Sequence, residues 1–304
     1  MVSKEEILRE YFSTLELSLK VGCSINCWFC PQKLYKERYF SISKDTRRQM
    51  TTEDFLKIVK NLSGSKVRRL LFSGYCENFL NPKALEIISI AKGNRFEVSI
   101  ITTGVGLKKE EILSLSRLEL ERVTVSLDPS NSDIWPIKGN ISKRWRNINY
   151  ILENIKNTQI VIVAKESEKN SRRIIETENF CLQNKLKYRI DLHNRAGNLH
   201  YGSITDNSAL LPPLYCSRPM TNVVQPNGDL SLCCMDWSLQ HILGNLYEQE
   251  YNEIIENVFV KNIIENLYNG AIDELLCKHC HYLESVDELW TPITVRRSIL
   301  YGKA

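Results

Sequence analysis

Six short β-rich runs alternate with helical patterns along the first two thirds of the chain, and this alternation leaves few folds open. The runs are LELSL (Leu15 to Leu19), RRLLF (Arg68 to Phe72), FEVSII (Phe96 to Ile101), RVTVSL (Arg122 to Leu127), IVIVA (Ile160 to Ala164) and KYRIDL (Lys187 to Leu192). Each is an apolar or β-branched stretch of strand length. Between them lie TTEDFLKIVKNL, with Thr51 or Thr52 as N-cap, and NPKALEIISIAK, with Asn81 as N-cap and Pro82 at the first helical position. LKKEEILSLSRL, RWRNINYILENI and SRRIIETENFCLQN complete the helical set. Strands joined through helices pair in parallel, so the chain reads as α/β. Units of about 30 residues suit right-handed βαβ repeats. Six units are too few for a closed eightfold barrel, which leaves a partial TIM-type (β/α)6 barrel or an open doubly wound sheet.

A chain of 304 residues with 43% hydrophobic content can bury a full core, and in more than one domain. The alternation stops in GNLHYGSITDNSALLPP (Gly197 to Pro213), which is rich in turn-forming residues. The expected division is therefore a barrel over 1–205 and a smaller α+β domain over 206–304. In the second part, TNVVQPNGDLSLCC reads as a hairpin around Asn227-Gly228. Two helical segments, EYNEIIENV and VKNIIENLYNG, and the pair in CKHCHY follow.

The N-terminal MVSKEEILREYF lacks the basic start and apolar core of a signal peptide, and no apolar run reaches membrane-spanning length. A cytoplasmic protein without a membrane partner is expected. A net charge of +4, with Lys and Arg interspersed among Asp and Glu, gives no indication of a nucleic-acid partner. There is no P-loop, and Gly104-Val105-Gly106 lacks the later glycine of a dinucleotide fingerprint.

Thiols stay reduced in the cytoplasm, so the ten cysteines point to metal ligands or reactive groups rather than disulfides. Cys23, Cys27 and Cys30, in GCSINCWFCPQ, follow the first strand in the spacing C-x3-C-x2-C. Active sites of α/β folds form at that end of a strand, and soft thiolates suit zinc or an iron–sulfur cluster. Three ligands without a nearby histidine suggest a four-iron cube with one iron left open, and a zinc knob with a distant fourth ligand is the bland alternative. Cys216, Cys233, Cys234, Cys277 and Cys280 supply enough thiolates for a second, fully protein-ligated cluster or for a four-thiolate zinc site. CKHCH also matches the C-x-x-C-H of covalent haem, which belongs to exported proteins.

C-x3-C-x2-C after the first strand, with Phe29 before the last cysteine, resembles the signature of the radical SAM superfamily. The resemblance implies a [4Fe-4S] cluster on Cys23, Cys27 and Cys30 whose open iron is chelated by S-adenosylmethionine (SAM), with Phe29 near the adenine. It also implies reductive cleavage to a 5'-deoxyadenosyl radical, driven by an external one-electron reductant such as flavodoxin or ferredoxin. FSGYCENFLNP is similar to the family's GGEP-type motif, with Ser73, Gly74 and Glu77 toward SAM, and with Cys76 and Asn78 where Gly and Pro are usual. Thr102, Thr103, Ser126 and Asp128 resemble the family's ribose- and carboxylate-binding positions. The layout of Cys216, Cys234, Cys277 and Cys280 is C-x17-C, then 42 residues, then C-x2-C. With Arg218-Pro219, the Asn-Gly-Asp turn and Leu243-Gly244-Asn245, it resembles the twitch form of the SPASM domain, which houses one auxiliary [4Fe-4S] cluster. Cys233 and Cys234 compete for one place there, since neighbours on a strand face opposite ways, and the family spacing favours Cys234.

Cys181, in a helical pattern, reads as a buried small hydrophobe, whereas Cys76, at the expected barrel mouth, is a candidate hydrogen-atom donor. Arg189 and His193, with Arg195 beyond, are candidate acid–base or substrate-orienting groups. Trp135 and Pro136 read as a packed loop or a substrate lid, and Lys143, Arg144 and Arg146 as the solvated face of a helix. With one auxiliary site and no extra N-terminal peptide-binding domain in the sequence, the expected reaction is oxidation of a small polyhydroxylated substrate, sugar or aminocyclitol-like. Epimerisation, modification of a short peptide, and a non-catalytic zinc module are the alternatives.

Overall fold

The computed structural model describes residues 11–25, 27, 30–128, 143–164, 171–192, 205–217 and 220–285. Six strands run in order: β1 (Thr14–Leu17), β2 (Arg69–Phe72), β3 (Glu97–Thr102), β4 (Arg122–Leu127), β5 (Thr158–Ala164) and β6 (Lys187–Leu192). Every adjacent pair is parallel, and spatial order follows sequence order. A doubly wound sheet requires a reversal of strand order, and none occurs here. Glu16 on β1 and Arg189 on β6 line the same cleft although four strands lie between them, so the sheet curls into a partial barrel.

Among the described residues the sheet does not close on itself. β7 (Leu214–Cys216) pairs antiparallel with β11 (Leu283–Ser285) as a separate two-stranded sheet. β8 (Asn222–Val224) instead adds in parallel to the free edge of β1, and β9 (Asp229–Ser231) and β10 (Ile242–Asn245) continue outward antiparallel. The hairpin expected at Asn227-Gly228 is the β8–β9 turn, where Gly228 takes φ +86° and a Cβ would meet the Tyr247 ring at 2.6 Å. One nine-stranded sheet therefore carries both the barrel strands and the hairpin that follows residue 205.

The helices are α1 (Gln32–Ile42), α2 (Thr52–Asn61), α3 (Ala84–Gly93), α4 (Lys109–Ser116), α5 (Lys143–Asn154), α6 (Arg172–Gln183), α7 (Tyr251–Glu256) and α8 (Val258–Tyr268). Thr51 caps α2 in a reciprocal box with Asp54, and Phe55 and Ile58 supply its buried face. α3 starts later than the sequence suggests, at Ala84, with Lys83 rather than Asn81 as N-cap. The Asn81 amide is drawn elsewhere, donating to Leu19 O and Met50 O at 2.8 Å each, while its Oδ1 accepts the Lys83 N–H in a turn. α1 has no counterpart in the sequence reading, because its buried face consists of Tyr35 and Tyr39 set among Lys, Glu and Arg. That pair at i and i+4 carries little apolar periodicity. Cys181 is fully buried on α6, as a small hydrophobe would be.

Alternation along β1 separates the core from the barrel interior. Leu15 and Leu17 are fully buried in the main core, each contributing about 1.5–3 kcal/mol of burial, while Glu16 lines the cleft.

Candidate active site

Cys23, Cys27 and Cys30 all line one cleft of about 180 Å³ at the barrel mouth, together with Ser73, Gly74, Cys76 and Glu77. The loop is shaped by its own backbone: Cys30 N–H donates to Cys27 O at 3.1 Å, and Ile25 N–H to Cys23 Sγ at 3.4 Å. Burial raises the Cys27 thiol to about 12, and the neighbouring Cys30 and Asp128 add to the rise. A bound cation inverts that balance and favours thiolates. Among the described residues no three His, Cys, Asp or Glu side chains already form a metal shell, so the trio shares a cleft and not yet a coordination sphere. Phe29 lies outside the described residues, as do His193, Arg195, Trp135, Pro136, Arg218 and Pro219.

The loop after β2 is held by hydrogen bonds to β1 and to the chain beyond it. Gly74 N–H donates to Glu16 Oε1 at 2.6 Å and Tyr75 N–H to Ser18 Oγ at 2.6 Å. Gly74 has φ +70°, and a Cβ there would stand 2.1 Å from Ser18 Oγ, so only glycine permits this approach. Asn78, at the unusual position of the motif, accepts the Leu19 N–H at 2.7 Å and donates to Leu17 O and Ser73 O. Cys76 Sγ donates to Asn78 Oδ1 at 3.1 Å, and burial pushes this thiol up to about 12.

Glu77 is 2% exposed. Its carboxylate accepts from Thr102 Oγ1 at 2.9 Å, Thr103 N at 2.7 Å and Thr103 Oγ1 at 2.5 Å. Burial raises its pKa, opposed by these bonds, which favour the charged form. Three expected cofactor-site residues from two strand ends are thus tied into one unit. Ser126 and Arg189 line the same cleft, and Asp128 is buried at the end of β4.

Arg144 corrects the reading of a solvated basic face. Only Arg146 of the described side chains there is exposed, whereas Arg144 is 8% exposed. Its Nε donates to Thr103 O at 2.7 Å and its Nη2 to Ser126 O at 3.4 Å, while Nη1 is buried without a partner. Burial lowers its pKa, offset by the charges of Cys27, Glu77, Asp128 and Cys23. The signal was in the sequence: Arg144, Asn147, Ile148 and Ile151 fall at i, i+3, i+4 and i+7, so two polar residues occupy the buried face of α5. Asn147 is spent on Gly104 O and Leu107 O, whereas Arg144 keeps a donor in reserve.

Members of the second cysteine set also lie near one another, Cys233 feeling the charges of Cys234, Cys277 and Cys280. Cys277 lies within a tight turn over Leu276–His279 and Cys280 directly follows it, and Asn207 Nδ2 donates to both of their carbonyls, at 2.9 and 2.8 Å. The Cys216 N–H donates to Tyr11 Oη at 2.8 Å, and burial raises the Tyr11 pKa, with Cys216 and Cys277 both adding to the rise. Cys233 and Cys234 lie beyond the end of β9, in a turn, so strand alternation does not sort them. Burial raises the Cys233 thiol, with Cys234, Cys277 and Cys280 as its further causes, while Cys234 lines the cleft with Met235, Trp237 and Tyr282.

Tyr75 joins the two sets. Its ring packs on Trp237 at 4.7 Å, and its hydroxyl donates to Cys233 O at 2.8 Å, beside Ser231 Oγ and Asp236 O at 3.2 Å each. Tyr75→Phe keeps the ring and removes a buried hydroxyl whose acceptors keep other donors, Asp236 N–H on Cys233 O and Leu239 N–H on Asp236 O, and is expected to cost about 0.5–1.5 kcal/mol. A urea midpoint unchanged from wild type would refute this.

A model of the Radical SAM superfamily matches residues 17–177, and a model of the SPASM iron-sulfur cluster-binding domain matches residues 216–281. The chain is 27% identical over 180 residues to a GTP 3',8-cyclase of Clostridium perfringens, taking in 58% of this chain and 53% of that protein. The chain thus spans about half the length of that curated relative. The crystal structure of BtrN in complex with AdoMet and 2-DOIA is similar at TM-score 0.60 and 18% identity, covering 89% of this chain and 93% of that one. Streptococcus suis SuiB bound to its precursor peptide SuiA is similar at TM-score 0.62 and 14% identity, covering 89% and 71%. At these identities the two structures speak to the fold.

Proposed function

The chain belongs to the Radical SAM superfamily and carries a SPASM iron-sulfur domain, and from that premise we propose that it oxidises a small polyhydroxylated molecule, sugar or aminocyclitol-like, at a carbinol carbon. Its cofactors are S-adenosylmethionine and [4Fe-4S] clusters. When bound, they supply one-electron cleavage of SAM, abstraction of a hydrogen atom, and an acceptor for a second electron.

The residues at the barrel mouth suit this load. Cys23, Cys27 and Cys30 would hold the SAM-binding cluster, and Cys216, Cys277, Cys280 and one of Cys233 and Cys234 the auxiliary one. Arg144, with a buried donor left over, suits an anionic group such as the SAM carboxylate, and Gly74 lets backbone approach the cofactor. Glu77, Thr102 and Thr103 fix the wall on which it rests.

One observation carries the choice of an oxidation: Cys234 lines the same cleft as Cys23, Cys27 and Cys30, so a substrate there stands between both cysteine sets. The cleft is small, and it is walled by Glu16, Thr124, Ser126 and Arg189. Thr124, Ser126 and Arg189 can hydrogen-bond a substrate's hydroxyls, and Glu16 can hold or move the proton lost from the substrate oxygen. A cytoplasmic setting, a flavodoxin or ferredoxin reductant, and domains over 1–205 and 206–304 belong to the same proposal.

The test is anaerobic turnover of carbon-deuterated polyols with dithionite and SAM. Oxidation yields deuterated 5'-deoxyadenosine and a carbonyl product two hydrogens lighter. A product that keeps its hydroxyl and has exchanged one carbon-bound deuterium for a solvent hydrogen, one mass unit lighter, would establish an epimerase instead, and Cys76→Ala should then abolish turnover if Cys76 is the donor. Stimulation by peptides alone would overturn the small-molecule reading.

A further inference from the structure

Cys233 and Cys234 are consecutive in the turn after β9, yet their side chains go different ways. Cys234 lines the cleft with Cys23, Cys27 and Cys30, and together with Cys30 it packs against the aromatic group that holds Tyr35, Tyr75 and Trp237. Cys233 joins neither wall. Its carbonyl is pinned by the Tyr75 hydroxyl at 2.8 Å and by the Asp236 N–H at 3.0 Å, and its thiol feels the charges of Cys277 and Cys280. Asn207 gathers the carbonyls of those two, and Tyr11, bonded to the Cys216 N–H, feels Cys216 and Cys277 alike. A four-iron cube takes four cysteines, so beside Cys216, Cys277 and Cys280 one place remains, and Cys233 is the member of the pair on that side.

We infer that Cys233 completes the auxiliary ligand set, and that Cys234 is a hydrogen-atom donor in the cleft, giving the enzyme a second reaction in which hydrogen returns to the substrate carbon. The assignment runs against the spacing of the resemblance, which favours Cys234. Cys76 lines the cleft too, but its Sγ donates to Asn78 Oδ1 at 3.1 Å, back into its own loop. In the return step the Cys234 S–H bond breaks and a C–H bond forms at the substrate radical, downhill because S–H is the weaker bond. One electron from the external reductant and one proton from solvent then restore the thiol. With the electron spent on cleaving SAM, a turnover consumes two electrons and one proton, and the substrate leaves at its original oxidation level. Oxidation and return are thus two fates of one radical, decided by whether the electron leaves before the thiol delivers its hydrogen.

Two measurements on the full chain, reconstituted anaerobically, test the two halves. Iodoacetamide alkylation with peptide mass mapping is expected to label Cys234 roughly tenfold faster than Cys233, and Cys234→Ala is expected to keep about eight irons per chain. Protection of Cys234 with labelling of Cys233, or a fall to about four irons in Cys234→Ala, would overturn the assignment. SAM is then cleaved with dithionite in D2O without substrate, where the thiol exchanges to S–D. The share of 5'-deoxyadenosine that carries deuterium reports hydrogen taken from an exchangeable group in the cleft, and it is expected to fall several-fold in Cys234→Ala. An equal share in variant and wild type would overturn the donor role. No polyol is added in either measurement, so their failure is distinct from failure of the small-molecule reading, which turnover with peptides alone would show.

Discussion

Replacing Cys23, Cys27 and Cys30 together by alanine is expected to lower the iron content after anaerobic reconstitution from about eight to about four per chain, and to abolish reductive formation of 5'-deoxyadenosine. The three thiols share one cleft, and the second cysteine set lies on different elements: β7, the turn after β9, and the turn over Leu276–His279. The two losses should therefore be separable. Iron counting and the 350–450 nm absorbance, measured on both proteins, check the first half, and chromatography of the SAM reaction checks the second. Zinc in place of iron, or undiminished cleavage in the triple variant, would refute the assignment, because a structural zinc site has no route to reduce a sulfonium.

The second large effect concerns Arg144. Its Nη1 is a buried cationic donor without a partner, and satisfying such a group with an anion is worth about 1.5–3 kcal/mol. Arg144→Met is therefore expected to weaken SAM binding roughly 10- to 150-fold. Methionine keeps comparable apolar bulk, so the change falls on charge and hydrogen bonding more than on packing. Arg144→Lys should recover part of the loss, as a point charge without the planar fork. Equilibrium dialysis of SAM on the reconstituted variants decides it. An unchanged Kd in Arg144→Met would leave the buried guanidinium as a brace for Thr103 O and Ser126 O only.

The two variants differ in how visible their targets were. The cysteine spacing is a local pattern, readable without any fold. Within the basic run of Lys143 and Arg146, Arg144 reads as a surface charge, yet the apolar period of Ile148 and Ile151 places it on the buried face. In a helix, periodicity outranks composition as a guide to exposure. Asn78 shows the reverse: as a departure from the expected Pro it read only as a mismatch, whereas in the fold it ties the chain after β1 to the β2 loop.

By itself the sequence determined the parallel α/β alternation, the strand order of a singly wound barrel within a choice of two, the hairpin at Gly228, and both cysteine sets. These are properties of neighbouring residues, with periods of 2 and 3.6 and turn chemistry within a few positions. Tertiary structure alone decided the rest: that β8 docks in parallel on β1, that Glu77 is spent on Thr102 and Thr103, that Cys234 reaches the cleft, and that Glu16 accepts the Gly74 N–H. Each of these depends on groups at least 25 positions apart. Whether a buried polar atom is satisfied or left open for a ligand is then a matter of which distant partner arrives, and no local pattern carries that information.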